Sequence, residues 1–189
     1  MEKVAIIDIE TTGLYPNSSL ILEIGIVELD LNSGKTKILF DSLVNEPGFG
    51  ENHRSSWIFE NSDMVFEEVL KAPELSEFEN ELQTIFNKYG VSAYNKAFDL
   101  GFLTDRGFFF PNELPCIMIT STPVCRIPFR RPLDMERYSG REYKWPSVQE
   151  AWNFFFPHSN YIEGHRAADD ALHEAKIFYE LYRFGYLLL

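Results

Sequence analysis

Residues 4–13 read Val-Ala-Ile-Ile-Asp-Ile-Glu-Thr-Thr-Gly. The apolar run from Val4 ends on Asp8, and Thr11-Thr12-Gly13 interrupts the pattern before a second apolar run, Leu20 to Leu29, so the stretch predicts strand, turn, strand. On an extended strand, residues two apart face the same way. Asp8 and Glu10 therefore share a face, where two carboxylates repel each other unless a cation lies between them. Solvent-facing acids at a strand end would give the same spacing. What sets this pair apart is its place at the end of an apolar strand, beside a glycine that lets backbone N–H groups approach a ligand.

Working outward, Asn32-Ser33-Gly34 predicts a hairpin turn into a third strand, Lys37 to Val44, and hence an antiparallel meander. Residues 45 to 73 are rich in Asn, Ser, Gly, Pro and Glu and read as a long surface excursion with a short helix around Met64 to Leu70. Ser76 and Glu79 have capping-box spacing, and Phe78, Leu82, Ile85, Phe86 and Tyr89 follow at helical spacing until Gly90. Val91 to Tyr94 then predicts a buried strand, Phe98 to Phe108 a helix and Cys116 to Thr120 another strand, which makes the chain mixed α/β. Residues 122 to 146 carry four prolines and five arginines and read as a loop. Ser147 and Glu150 repeat the capping-box signature at the head of Val148 to Phe156, and a last helix is predicted from about His165 to Phe184.

The chain has 189 residues, 45% of them hydrophobic, with no repeat or linker, so one domain over residues 1–189 is expected. No apolar run approaches the ~20 residues of a membrane span, and the opening is too quickly charged for a secretory signal; a soluble, cytoplasmic protein is expected. Cys116 and Cys125 lack paired spacing and read as reduced thiols rather than zinc ligands. A formal charge of −12 argues against a protein that coats long nucleic acid, which needs clustered Lys and Arg. It is compatible with an enzyme whose carboxylates recruit cations that then meet phosphate.

Two later positions carry chemistry. Asp99 follows a predicted core strand, where it reads equally as a ligand or as an N-cap for the helix holding Leu100 and Leu103. In Gly164-His165-Arg166-Ala167-Ala168-Asp169-Asp170-Ala171, the helical wheel aligns Asp169 with His173, Lys176 and Glu180, a solvated stripe. Asp170 instead aligns with Ile177 and Leu181 and points toward the protein. A carboxylate there is costly unless paired, hydrogen-bonded or metal-bound, so Asp170 rather than Asp169 is the candidate ligand. A histidine beside such a site, His165, has the side chain suited to a general base at neutral pH.

Asp8-Ile9-Glu10-Thr11-Thr12-Gly13-Leu14, Asn95-x-x-x-Asp99 and His165-x-x-x-x-Asp170, in that order, resemble the three motifs of the DEDDh 3′-to-5′ exonucleases. That family includes the proofreading subunit of bacterial replicative polymerases, ribonuclease T and oligoribonuclease. The resemblance implies a ribonuclease H-like fold, a five-stranded mixed sheet with helices on both faces. It implies two Mg²⁺ or Mn²⁺ ions, with Asp8 bridging both, Glu10 and Asp170 completing one site, Asp99 supporting the second partly through water, and His165 as general base. By the same implication the Thr11 backbone meets the terminal 3′-hydroxyl, Leu14 wedges against the terminal base, and Thr12 and Asn95 lie beside the substrate. The expected partner is the 3′ end of a nucleic acid, single-stranded or frayed, with DNA slightly favoured over RNA and a protein such as a polymerase as a possible companion. Tyr94 stands where the family often has a histidine, a departure that bears on the surroundings of the site.

Two other readings compete. Haloacid-dehalogenase-like phosphatases also place an Asp after a strand and an acidic pair like Asp169-Asp170 later, but they have a second Asp where this chain has Glu10, and they give His165 no role. A nucleic-acid-binding relative without catalysis is opposed by the complete set of four acids and the histidine. Arg126, Arg130, Arg131, Arg137 and Arg141 are either a track for the phosphate backbone or a solvated loop balancing surface acids.

Overall fold

The computed structural model describes residues 2–129, 141–187 and 189. Strand β1 (Lys3–Thr11) runs through the middle of a four-stranded sheet. It pairs antiparallel with β2 (Ile21–Asp30), which pairs antiparallel with β3 (Thr36–Leu43), as the meander reading expects. On its other side β1 pairs in parallel with the short β4 (Gly90–Ser92), giving the order β3-β2-β1-β4.

Both faces of β1 are covered, and its alternation sorts side chains between two cores. Ala5, Ile7 and Ile9 pack with residues of α3 (Leu75–Lys88) and α4 (Lys96–Asp105), including Leu82, Phe86, Phe102 and Leu103. Val4 and Ile6 face the other way, onto α5 (Ile117–Cys125), α6 (Val148–Phe155) and α7 (Ala167–Arg183), where Ile117, Trp152, Ile177 and Phe178 are buried. Asp8 and Glu10 continue the parity of Val4 and Ile6 along the strand, which is the α7 side of the sheet. A smaller cluster of Leu22, Ile58, Met64 and Val69 anchors the excursion after β3, which holds the short helices α1 (Trp57–Asn61) and α2 (Phe66–Val69).

The predicted fifth strand is absent among the described residues. Where it would extend the sheet, Glu113 makes a single parallel bridge to Val91, with Val91 N–H donating to the Asn112 carbonyl at 2.9 Å and Leu114 N–H to the Val91 carbonyl at 2.8 Å. Pro115 follows and has no N–H to continue the ladder. Residues 116–120, expected as strand, fall largely within helix α5, which spans residues 117–125. Its first N–H groups are taken by carbonyls of the β4–α4 connection, Ile117 donating to Ala93 at 3.2 Å and Met118 to Tyr94 at 2.9 Å. Tertiary acceptors here outweigh the β preference of Ile117, Ile119 and Thr120.

Two capping signals can be compared with the sequence. Ser147 and Glu150 form the expected reciprocal pair at the head of α6, at 3.2 and 2.9 Å. At α3 the box lies two residues earlier than predicted: the Glu74 backbone N–H donates to the Glu77 side chain at 3.0 Å, directly after Pro73.

Helix α7 approaches the sheet unusually closely. A Cβ placed on Gly25 of β2 would lie 2.2 Å from the backbone of Ala167 and Ala168. Gly25 is also the cross-strand partner of Asp8. The first turn of α7 therefore rests against the sheet beside the acidic end of β1. Cys116 and Cys125 are free and buried. Among the described residues no helix is long and apolar enough to cross a membrane. Of the arginine-rich loop, Arg130, Arg131 and Arg137 lie outside the described residues; Arg126 ends α5 in a left-handed conformation, and Arg141 lies over the Trp145 ring at 3.9 Å.

Candidate active site

Three chain segments converge at the end of β1. Glu10 arrives on β1, Asp170 on the first turn of α7 and His165 on the irregular segment just before it, and their ligand atoms all lie within 4.8 Å of one another. Asp8 is half-buried one position deeper on the same strand face, and Asp99 is buried in the first turn of α4. The wheel reading of α7 holds in space: Asp170 is 2% exposed, whereas the Asp169 side chain is 56% exposed.

Burial and neighbouring carboxylates raise the pKa of Asp8 and Glu10. Burial, then the neighbouring carboxylates of Glu174, Asp99, Glu10 and Asp170, hold Asp8 well above the usual carboxylate range. Burial, then Asp170, Glu23, Glu163 and Asp99, pushes Glu10 up to about 9. Burial lifts Asp99 to about 8 against the opposing backbone N–H groups of Asp99 and Ile9. So many acids in one place form a site whose ionised state calls for cations, and carboxylate oxygens suit Mg²⁺ or Mn²⁺.

A stability prediction follows. Unfolded, these acids ionise near their ordinary values of 3.8 for Asp99 and 4.5 for Glu10; folded, they hold their protons to about 8 and about 9. Between those limits the folded state binds more protons than the unfolded one, so stability falls as pH rises through the window. The metal-free protein is expected to melt at a lower temperature at about pH 8 than at about pH 5.5, with Asp99→Asn flattening the slope. Thermal unfolding in chelator across this range is the check, and a melting temperature that climbs with pH would contradict it.

His165 adopts a left-handed backbone conformation, φ 54°, which costs a non-glycine residue on the order of 1 kcal/mol or more. The surroundings hold it there. Next to it, Arg166 forms a bidentate pair with buried Glu23 of β2, Nη2 to Oε1 at 2.6 Å and Nε to both oxygens at 3.1 Å, and reaches Asp63 at 2.9 Å. Glu23 also accepts the Ala167 N–H at 3.0 Å, one of the N–H groups that open α7. On the solvent side the Trp57 ring stands edge-on to the imidazole at 4.8 Å.

The expected substrate contacts fall into two groups. Thr11, Thr12 and Leu14 line a cavity of about 540 Å³ together with Glu10, Trp57 and Phe98. Leu14 is 73% exposed at its rim. The Thr12 hydroxyl accepts the Leu20 N–H at 2.9 Å, so it shapes the turn. Arg106, immediately after α4, pins the same turn, donating to the carbonyls of Pro16 and Ser19 at 2.7 Å while pairing with buried Glu46. Asn95 is exposed immediately before α4, and its carbonyl accepts the Phe98 N–H at 2.7 Å; the cavity lining does not include it.

Sequence reasoning missed several groups. Glu174 is 2% exposed on the inner face of α7, four residues after Asp170, and its Oε2 accepts the Tyr94 N–H at 3.3 Å. Burial and then Asp99, Asp170 and Glu163 raise it well above the usual carboxylate range. Its i+4 relation to Asp170 was the available signal. Glu163 is pushed up to about 7 by burial and Asp170. Tyr161, whose hydroxyl donates to Asp170 Oδ1 at 2.6 Å, had no local signal.

A mixed sheet covered on both faces, with acids gathered where its central strand ends, defines the chain as a ribonuclease H-like α/β protein. The sequence profile of the ribonuclease T-type exonuclease family matches residues 5–178, and the chain belongs to that family, with the motif residues of its DEDDh type. No curated protein sequence matches the chain. Among solved structures it resembles cell-death related nuclease 4, with a TM-score of 0.66, 16% identity and coverage of 97% of this chain and 64% of the other. It resembles the nuclease domain of 3′hExo, a DEDDh family member bound to rAMP, with a TM-score of 0.67, 15% identity and coverage of 99% and 95%. A third is E. coli exonuclease I in complex with a dA16 oligonucleotide, with a TM-score of 0.64, 12% identity and coverage of 97% and 41%. The chain thus spans about two thirds of the nuclease 4 chain and well under half of the exonuclease I chain.

Proposed function

We propose that this protein removes nucleotides from the 3′ ends of nucleic acids by metal-dependent hydrolysis. The observation that carries this reading is the meeting of Glu10, His165 and Asp170, drawn from two separate motifs, within 4.8 Å at the edge of a cavity lined by apolar and aromatic side chains. Family membership supports it. So do solved neighbours: the 3′hExo nuclease domain bound to rAMP, and a 3′-exonuclease with 3′-end specific recognition of a histone mRNA stem-loop.

In this reading Asp8, Glu10, Asp99 and Asp170 would together hold a pair of Mg²⁺ or Mn²⁺ ions. Such a pair, when bound, stabilises the attacking and leaving oxygens of an in-line displacement. His165 accepts the proton of the attacking water, a role imidazole fills at neutral pH and which is typically worth roughly 10²–10⁴-fold. The strained backbone and the Arg166–Glu23 pair fix its direction before substrate arrives, so little reorganisation is needed. Leu14, Trp57 and Phe98 receive the terminal base by stacking and wedging, which requires an unpaired or frayed end. The backbone of Thr11 meets the terminal 3′-hydroxyl. A haloacid-dehalogenase mechanism would leave His165 idle, and no observation at this site favours it.

Turnover is expected to need Mg²⁺ or Mn²⁺, to vanish with a chelator, and to fail with Ca²⁺, which binds with longer and looser bonds. The decisive assay follows matched 3′-labelled DNA and RNA oligomers, single-stranded and duplex, with and without chelator. Full activity in excess EDTA would sink the metal reading. The solved neighbours include one bound to rAMP and one bound to a dA16 oligonucleotide, so the expected slight preference for DNA is decided by the same oligomers.

A further inference from the structure

We propose that Tyr161 is a positioning residue for Asp170, setting the carboxylate for cation binding and closing the segment that carries His165. The proposal rests on the metal-dependent reading above. Tyr161 lies outside every motif of the family resemblance, in a stretch without regular secondary structure between α6 and α7. Its hydroxyl donates to Asp170 Oδ1 at 2.6 Å. The backbone N–H of Arg166 donates to the other oxygen, Oδ2, at 3.2 Å. Both ends of segment 161–166 therefore fasten to one carboxylate, and His165, with its left-handed backbone, is held inside the loop so formed.

The tyrosine is itself held independently of Asp170. Its ring stacks on His173 of α7 at 3.7 Å with planes 19° apart, and tilts against Trp152 of α6 at 5.0 Å. Its carbonyl accepts Gln149 Nε2 at 2.9 Å. With the ring clamped between two helices, the hydroxyl imposes a direction on the carboxylate. An ionised carboxylate has about four lone-pair positions, of which Tyr161 and Arg166 occupy two, one on each oxygen. The carboxylate plane is thereby fixed, acceptor capacity remains on both oxygens, and a ligand atom of this carboxylate lies within 4.8 Å of those of Glu10 and His165. Partners that orient a metal-binding side chain are typically worth about 10–100-fold in metal affinity.

The test compares wild type, Tyr161→Phe and Tyr161→Leu by calorimetric titration with Mn²⁺ in the absence of substrate, with thermal unfolding in chelator as the check that each variant folds. Phenylalanine keeps the stack on His173 and Trp152 and loses only the hydroxyl. The expected result is that Tyr161→Phe stays folded, binds Mn²⁺ about 10–100-fold more weakly, and needs correspondingly more Mn²⁺ for half-maximal turnover, with turnover largely restored at saturation. If phenylalanine binds Mn²⁺ like wild type and only leucine is impaired, Tyr161 is packing alone and the proposal is overturned. If wild type binds no Mn²⁺, the metal reading itself fails, an outcome separate from a variant that matches a binding-competent wild type.

Discussion

Asp170→Asn is expected to lower turnover by about three orders of magnitude or more, since a bound metal supplies several kcal/mol of charge stabilisation and each ~1.4 kcal/mol is tenfold in rate. Asp169→Asn, one residue away, is expected to leave turnover near wild type. The contrast comes from helical geometry: Asp170 is buried on the inner face of α7 with Glu10 and His165, and the Asp169 side chain points into solvent. Without metal, Asp170→Asn is expected to melt no lower than wild type, because it removes one negative charge from a group of mutually repelling carboxyls. Turnover at saturating Mg²⁺ and thermal unfolding in chelator measure the two halves. A dead Asp169→Asn beside an active Asp170→Asn would reverse the assignment of the site.

The second large effect belongs to His165. Removing it is expected to cut turnover by roughly two to four orders of magnitude while changing substrate affinity little, because a proton acceptor acts mainly in the transition state. The backbone dictates the better variant: at φ 54° an alanine would keep the strain, whereas glycine adopts the conformation freely and leaves the segment undisturbed. His165→Gly also vacates space beside Trp57 for a small molecule. Added imidazole is expected to restore part of the lost rate at saturating substrate and Mg²⁺. Undiminished turnover in both His165→Ala and His165→Gly would remove the histidine from the mechanism.

What could be read from the chain alone followed from periodicity. Asp8 and Glu10 share a strand face because side chains alternate, and Asp170 turns inward because it lies in register with Ile177 and Leu181; both are local facts. Residues 116–120 read as a strand because Ile117, Ile119 and Thr120 favour one locally, while the acceptors that start the helix, Ala93 and Tyr94, come from elsewhere in the fold. The same limit hid Tyr161 and the Glu23–Arg166 pair. Glu23 interrupts an apolar run, a visible irregularity, but its partner lies 143 positions away. Glu174 is different: its spacing from Asp170 was open to inspection and went unused.

Gly25 touches no substrate and offers no ligand atom, yet the dimensions of the site depend on it. It faces Asp8 across the strand pair, and the backbone of Ala167 and Ala168 occupies the place where its side chain would be. Even a methyl group there would have to lift the first turn of α7, and with it Asp170, away from the strand that carries Asp8 and Glu10. The position works as a spacer of zero thickness: the distance between the two groups of proposed metal ligands is set by a residue that is not one of them.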